Sequence, residues 1–112
     1  MKIWRLEDVD GFGPYTSKNN EDLSWDLKMA HSTANEHPGP ESDGFNDILW
    51  GCKEYPWAQL LFGFASEYDA RNWFCDFWDK LINNGFKLVE YESDIYWMGE
   101  SNLQLLFYKE VK

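Results

Sequence analysis

The sequence predicts an α+β domain in which an antiparallel sheet of about five strands is covered on one face by one long amphipathic helix. Short apolar segments separated by turn residues predict the strands. Helical periodicity over 67–83 predicts the helix. The 112 residues fit a single domain spanning 1–112 with one hydrophobic core. Aromatic residues make up 19% of the chain, so few side chains are needed to build that core.

The first half of the chain combines one clear strand with loops. Residues 2–6 alternate in polarity and predict the first strand. Residues 23–29 fit either a short strand or a helical turn, and their pattern does not decide between the two. A long loop is predicted at about 31–44, where two prolines and two glycines interrupt regular structure. Asp43 is expected to cap a short helix over 45–50.

The second half contains the clearest elements. The apolar segment 59–65 predicts a buried strand, and Ser66 is expected to cap the long helix that follows it. One face of that helix is apolar, and it carries Ala70, Trp73, Phe74, Phe77, Trp78 and Leu81. Asn84-Gly85 ends the helix. Three further strands are expected to form an antiparallel meander, and they cover 86–91, 94–98 and 102–108.

The charge balance is strongly acidic, with 20 Asp and Glu against 10 Lys and Arg. A net charge of −10 excludes direct nucleic-acid binding and binding to anionic membranes, because both need basic residues that displace counterions. Such a surface attracts basic surfaces instead. The alternative is that the charge serves solubility alone.

Targeting signals and membrane spans are not recognisable in the sequence. The N-terminal segment has no apolar run of the kind that an export signal needs. No stretch approaches the ~20 apolar residues of a membrane span. Two cysteines without an export signal indicate free thiols in a reducing compartment, so a cytoplasmic location is predicted.

Motifs of the common enzyme classes are missing, so no catalytic residue and no cofactor are expected. His37 lies in a proline-rich segment and is interpreted as a turn residue whose ring packs on a neighbouring aromatic, although an acid–base role is the alternative. A zinc site would need His31, His37, Cys52 and Cys75 together. Their spacing matches no zinc finger, and a buried inert thiol is the preferred interpretation of Cys75.

Arg5 is a charged residue within an otherwise apolar strand. If it is buried it needs a partner, and Glu7 on the same strand face is the expected one. The alternative is an arginine that binds an anionic ligand. Arg5, Ser66 and Gln104 follow one another in an order similar to that of small ADP-ribosyltransferase-like domains. That resemblance implies an enzyme, or a degenerate enzyme lacking the catalytic glutamate, that binds a nicotinamide-type nucleotide.

The chain as a whole resembles small acidic proteins of bacteriophages and prophages. The resemblance rests on the aromatic pair Trp73-Phe74 and on six segments, which are WRLED, GFGPY, HPGP, FGFAS, NGFKLVEY and NLQLLF. It implies a cytoplasmic location in an infected or lysogenic bacterium. It also implies an inhibitor of a host enzyme or defence system, since such proteins often act so and some resemble DNA in charge.

Clusters of carboxylates predict where such a protein would bind its partner. The helix is expected to present three aspartates on its polar face, and strand parity places a second cluster on one sheet face. Trp97 is expected to act as an aromatic anchor. The predicted partner-binding residues are Asp69, Asp76, Asp79, Glu90, Glu92, Asp94 and Trp97. Smaller clusters are formed by Asp22 with Asp26 and by Glu41 with Asp43 and Asp47. Further candidate anchors are Trp25, Trp50 and Trp57.

The first hypothesis is therefore a non-catalytic protein that occludes a basic surface of a host protein that processes nucleic acid or acts in defence. Its competitor is the enzyme-like pocket near Arg5, Ser66 and Gln104. The bland interpretation of each acidic cluster is a solvated polar face. A contiguous acidic face would favour the binding protein, and convergence of the three side chains in one cleft would favour the enzyme.

Overall fold

The computed structural model describes residues 1–31, 37, 43–51 and 59–109. Helices and strands alternate irregularly along these ranges. The helices are α1 (Glu21–Ala30), α2 (Asn46–Gly51), α3 (Glu67–Phe74) and α4 (Trp78–Asn83), with a 3₁₀ turn at Cys75–Phe77. The strands are β1 (Lys2–Glu7), β2 (Leu60–Gly63), β3 (Lys87–Glu92), β4 (Tyr96–Met98) and β5 (Leu105–Tyr108). The α+β composition predicted from the sequence is confirmed.

The strands do not form the single sheet that was predicted. Within the described residues, β1 pairs with β3 and β5 lies between β2 and β4, all antiparallel. The two sheets meet at one isolated bridge, where Trp4 and Phe64 exchange two backbone hydrogen bonds of 2.8 Å. Pairing stops there because the chain turns at Ser66 into α3. The structure therefore has a two-stranded and a three-stranded sheet in place of five continuous strands.

The predicted meander is also only partly present. The β4–β5 hairpin exists, with a turn after Met98, but β3 pairs with β1 and not with β4. Ser93 redirects the chain between β3 and β4. Its hydroxyl accepts from the Ile95 amide at 3.2 Å and lies 3.0 Å from the Tyr108 carbonyl. The turn sends β4 to the other sheet.

The long helix predicted over 67–83 is interrupted. Ser66 caps its start as expected, with its hydroxyl accepting from the Asp69 amide at 3.1 Å. At Cys75 the backbone has φ of +24°, and a 3₁₀ turn separates α3 from α4. The apolar periodicity did not reveal this break because Phe74 and Leu81, on either side of it, still pack into one core. The break also turns Cys75 outward, so the expected buried thiol is exposed.

The undecided segment 23–29 is helical and forms most of α1. Ser24 and Leu27 are its buried residues, and the Ser24 hydroxyl donates to the Pro14 carbonyl at 2.6 Å. The short helix α2 is present as well. Asp43 does not cap it. The first hydrogen bond of the helix runs from the Leu49 amide to the Phe45 carbonyl, so Phe45 occupies the N-cap position.

Asp43 instead joins α2 to the β4–β5 hairpin. Its carboxylate accepts from the Ser101 amide at 2.7 Å, from the Ser101 hydroxyl at 3.0 Å and from the Gln104 amide at 2.8 Å. The side chain is almost fully buried, and these donors offset the cost of burying it. The rest of the predicted loop, apart from His31, His37 and Gly44, lies outside the described residues.

Apolar side chains form a main core and two smaller ones. The main core joins α1, α3, α4 and β1 through Leu6, Leu27, Phe64, Ala70, Trp73, Phe74, Leu81 and Phe86. The three-stranded sheet packs on Phe45 and the side chains near α2. In the part of the chain that the structure describes, no helix has the length and apolarity to cross a bilayer.

Candidate functional site

Arg5 lies on β1 and is held by two hydrogen bonds. Its Nε donates to Glu7 Oε2 at 2.9 Å, and its Nη1 donates to the Phe62 carbonyl at 2.9 Å. The expected Arg5–Glu7 pair is thus present and largely buried. Tyr91 donates to the same Glu7 oxygen at 2.6 Å. Burial and this hydrogen bond raise the pKa of Tyr91 to about 12, so the phenol stays protonated and donates.

The guanidinium of Arg5 packs directly against the backbone of Gly13. A Cβ at that glycine would lie 3.0 Å from Nη2 of Arg5. A side chain at this position would therefore require the guanidinium to shift by a few tenths of an ångström. Nε and Nη1 donate to Glu7 and Phe62, Nη2 has no described hydrogen-bond partner, and Arg5 and Gly13 both line an open cleft.

This first cleft has a volume of about 430 Å³ and lies between β1, β2, α1 and α3. Its walls are mainly apolar and aromatic. The described lining residues with polar or charged side chains are Arg5, Tyr15, Thr16, Lys28, His31, His37, Trp73 and Gln104. No acidic residue is among the described residues that line it, although the chain has 20 of them.

A chain of hydrogen bonds crosses one wall of the first cleft. Trp73 Nε1 donates to the Tyr15 hydroxyl at 2.7 Å, and that hydroxyl lies 2.6 Å from His31 Nδ1. Burial holds the pKa of Tyr15 above its ordinary value, so the phenol keeps its proton. Tyr15 donates to His31 Nδ1 in the tautomer of the neutral ring that carries its proton on Nε2.

His31 and His37 stack face to face, with ring centroids 3.6 Å apart and planes 6° apart. His37 Nε2 donates to the Trp73 carbonyl at 2.7 Å, and its ring meets the Trp73 ring edge-on. The expected packing of His37 on an aromatic ring is confirmed. Its Nδ1 is buried and has no hydrogen-bond partner. Burial, with the nearby His37, lowers the pKa of His31 to about 4, so His31 is neutral at pH 7.

The stacked pair also lines a second cleft of about 440 Å³. Asp69 and Asp76 are among its lining residues, together with the exposed Cys75. The structure thus brings two of the three predicted helix aspartates together, while Asp79 is not among the described lining residues. The histidine pair separates a cleft with cations from a cleft with carboxylates.

The predicted cluster on β3 is largely engaged by the chain itself. Glu90 lies 3.4 Å from the Lys2 ammonium. Glu92 lies 2.9 Å from the N-terminal ammonium, and Asp94 lies 3.7 Å from it. Glu90 and Glu92 do share one face, as strand parity predicted. The pairing reduces the charge that this face offers to a partner.

Trp97 lies on β4 and packs into the core formed by Phe45, Leu60 and Leu106. The side chain is half-buried there. As an anchor for a partner it would offer only part of its ring. The exposed tryptophan in the described residues lies elsewhere, on α1.

The outer face of α1 carries an exposed apolar ridge. Trp25 and Met29, one helical turn apart, are 63% and 60% exposed. Asp22 and Asp26 run beside them with the same spacing, and among the described residues neither forms an ion pair. On the other side of Trp25, a shallow depression is lined by residues that include Lys28. The face therefore joins an aromatic anchor to an acidic flank.

A family model described as "Bacteriophage T4 Y00F protein" matches residues 1–111. The chain belongs to this family. The resemblance to bacteriophage proteins is confirmed by that match. No curated protein and no solved structure matched the chain.

The resemblance to ADP-ribosyltransferase-like domains finds no support in this Y00F-family protein. Arg5 and Gln104 both line the first cleft, but Ser66 is not among its described lining residues and serves as the N-cap of α3. Gln104 donates to the buried Asp43. The three side chains do not converge in one site.

The described residues contain no group of three or more His, Cys, Asp or Glu side chains arranged to hold a metal ion. Of the four residues considered for zinc, Cys52 lies outside the described ranges. The sequence-based prediction included Asp22, Asp26 and Trp25 but did not place them with Met29 on one helical face, and it missed the first cleft. The i, i+4 spacing of Trp25 with Met29 and of Asp22 with Asp26 would have revealed the ridge once 23–29 was assigned to a helix.

Proposed function

We propose that this Y00F-family protein binds a basic surface of a host protein that processes nucleic acid or acts in defence, and inhibits it. The observation that carries the proposal is the exposed Trp25–Met29 ridge beside Asp22 and Asp26. The net charge of −10 supports a basic partner. The phage family supports a role in the infected cell.

The ridge has the composition of an interface anchor. Tryptophan is enriched among residues that dominate binding energy, and it acts best when charged groups around it exclude water. Trp25 is exposed, whereas Trp73 is buried in the core and Trp4, Trp78 and Trp97 are partly buried. Burying Trp25 and Met29 against a partner would remove apolar surface from water, which favours association.

The carboxylates of Asp22 and Asp26 are expected to orient the partner and to raise the rate of association. Asp22 and Asp26 can contact basic groups without breaking an internal ion pair. Glu90 and Glu92 would first have to break their ion pairs with Lys2 and the N-terminal ammonium. Opposite charges accelerate encounter, and salt screens this effect. We therefore expect fast association that slows as salt is raised.

The predicted aspartates of α3 and the turn after it extend the same surface. The second cleft begins at the C-terminal end of α1, since Ala30 and His31 line it with Asp69 and Asp76. A partner seated on the ridge would reach these two carboxylates next. Asp79, Asp94 and Trp97 are not among the described residues that line the second cleft.

The experiment is capture of proteins from a bacterial host lysate on the immobilised protein, at low and at high salt. The wild-type protein and the Trp25→Ala variant are compared, with Tyr68→Ala as the matched control because Tyr68 is an exposed aromatic on α3. We expect a basic host protein that elutes with salt. The Trp25→Ala variant should lose it, at a cost of about 2 kcal/mol or more, and Tyr68→Ala should retain it.

The charge component is tested on the identified partner. The Asp22→Asn/Asp26→Asn variant should slow association, while Glu90→Gln/Glu92→Gln, whose carboxylates are already paired, should change it less. Inhibition is then measured on the activity of that partner. Equal binding by the wild type and both α1 variants would refute the proposal, as would capture of acidic proteins alone.

A further inference from the structure

We propose that the first cleft is a binding site for a small aromatic molecule with one negative charge, such as an aromatic carboxylate. The proposal is independent of the docking surface on α1. A volume of about 430 Å³ lies within the usual range for small-molecule sites, which are mainly apolar with a few polar groups. The described lining residues have this composition.

The charge of the residues that line the cleft favours a negatively charged ligand. Arg5 and Lys28 line the cleft, and no described lining residue is acidic, in a chain whose net charge is −10. His31 contributes no charge at pH 7, since its pKa is lowered to about 4. The positive charge in the cleft therefore comes from the Lys28 ammonium and from the Arg5 guanidinium, whose charge Glu7 partly balances, and it favours a carboxylate or a phosphate.

The Arg5 side chain is held in one orientation within the cleft wall. Glu7 and the Phe62 carbonyl hold two of its three nitrogens, so the orientation of the guanidinium is set before a ligand arrives. Nη2 has no described hydrogen-bond partner and packs over Gly13, and both residues line the cleft. A ligand carboxylate that accepts from Nη2 would not have to immobilise the arginine, which lowers the entropic cost of binding.

Aromatic side chains form the apolar part of the site. Phe62, Phe64, Trp73 and Phe74 line the cleft, and Trp73 is fixed by its hydrogen bond to Tyr15. Planar rings stack or meet edge-on with such side chains. An aromatic body with one acidic group therefore matches both parts of the cleft.

The probes are 2-naphthoate and its neutral counterpart 2-naphthamide, which has nearly the same shape. Binding to the full chain is measured by calorimetry and by the NMR shift of the Trp73 indole N–H, assigned with Trp73→Phe. We expect saturable binding of 2-naphthoate with Kd of about 1 mM or tighter. The amide should bind at least about fivefold more weakly because it lacks the charge.

Lys28→Gln tests the cation at the rim without touching the Arg5–Glu7 pair. This variant should lower the affinity for 2-naphthoate by about three- to fivefold and leave the affinity for 2-naphthamide unchanged. Lys18→Gln is the matched control, because Lys18 is an exposed lysine that is not among the described residues lining the first cleft. Equal affinity for the two probes, no saturation of either below 10 mM (about tenfold above the expected Kd), or equal losses in both lysine variants would overturn the proposal.

Discussion

The imidazole rings of His31 and His37 stack with their centroids 3.6 Å apart, and His37 reaches the Trp73 carbonyl through Nε2. Two residues six positions apart in the chain are thereby joined to each other and to α3. The pair forms a common wall of both clefts. The protonation state of His31 therefore bears on stability and on the shape of the site.

Acid should destabilise the fold through His31. Its pKa is lowered to about 4 in the fold against an ordinary 6.5, so the unfolded chain binds more protons between these values. The stability that neutral His31 contributes is complete above pH 6.5, declines as pH falls below it, and is lost by about pH 4. Urea unfolding at pH 7 and pH 5 measures this.

The variant His31→Asn is the comparison, since asparagine keeps an acceptor for Tyr15 but does not titrate. We expect a smaller loss of stability between pH 7 and pH 5 in this variant than in the wild type. The carboxylate of Asp8, whose pKa is lowered, titrates below this window. Identical pH dependence in the two proteins would contradict the prediction.

Gly63→Ala should destabilise the junction between the sheets. A Cβ there would lie 2.6 Å from Ile3 Cγ2, 3.0 Å from the Trp4 carbonyl and 3.1 Å from the Phe107 ring. None of these groups is a flexible side-chain end in open space, so β1 and β2 must move apart. We expect a loss of about 1–3 kcal/mol in the free energy of unfolding.

Denaturant titration gives the value, with Val9→Ala as the control because Val9 is 80% exposed. That control should stay within about 0.5 kcal/mol of the wild type. If the Gly63→Ala protein is as stable as the Val9→Ala protein, the two sheets do not approach each other closely at Gly63.

Asp43→Asn should weaken the link between α2 and the β4–β5 hairpin. Both carboxylate oxygens accept hydrogen bonds, from Ser101 and Gln104, and an amide nitrogen cannot accept. Leaving a buried donor without its acceptor costs about 1–3 kcal/mol. Asp47→Asn on the exposed face of α2 is the matched control and should change stability little. Equal thermal midpoints for the two variants would count against the link.

Ser66→Ala separates a structural role from a catalytic one. The Ser66 hydroxyl accepts from the Asp69 amide, so its removal should cost about 1 kcal/mol, and Ser66→Asp should restore most of that. Unfolding by urea measures both. Because Ser66 is not among the described residues of the first cleft, 2-naphthoate affinity should be unchanged. A stable Ser66→Ala protein that loses the probe would contradict the structural assignment.

The sequence by itself determined the local features. Alternation predicted β1, the Ser66 cap placed the start of α3, and a buried charge in an apolar strand predicted the Arg5–Glu7 pair. Each depends on residues close together in the chain, where propensity and hydrogen-bonding rules apply directly. The acidic character and the phage resemblance are likewise properties of the sequence alone.

The tertiary structure decided which elements meet. Strand polarity does not encode a partner, so the pairing of β3 with β1 rather than β4 followed from the turn at Ser93. Apolar periodicity is compatible with a straight or an interrupted helix, so the break at Cys75 followed from packing. The His31–His37 stack and the two clefts exist only because separate elements converge. Contacts between distant residues depend on the global packing minimum, which no local pattern specifies.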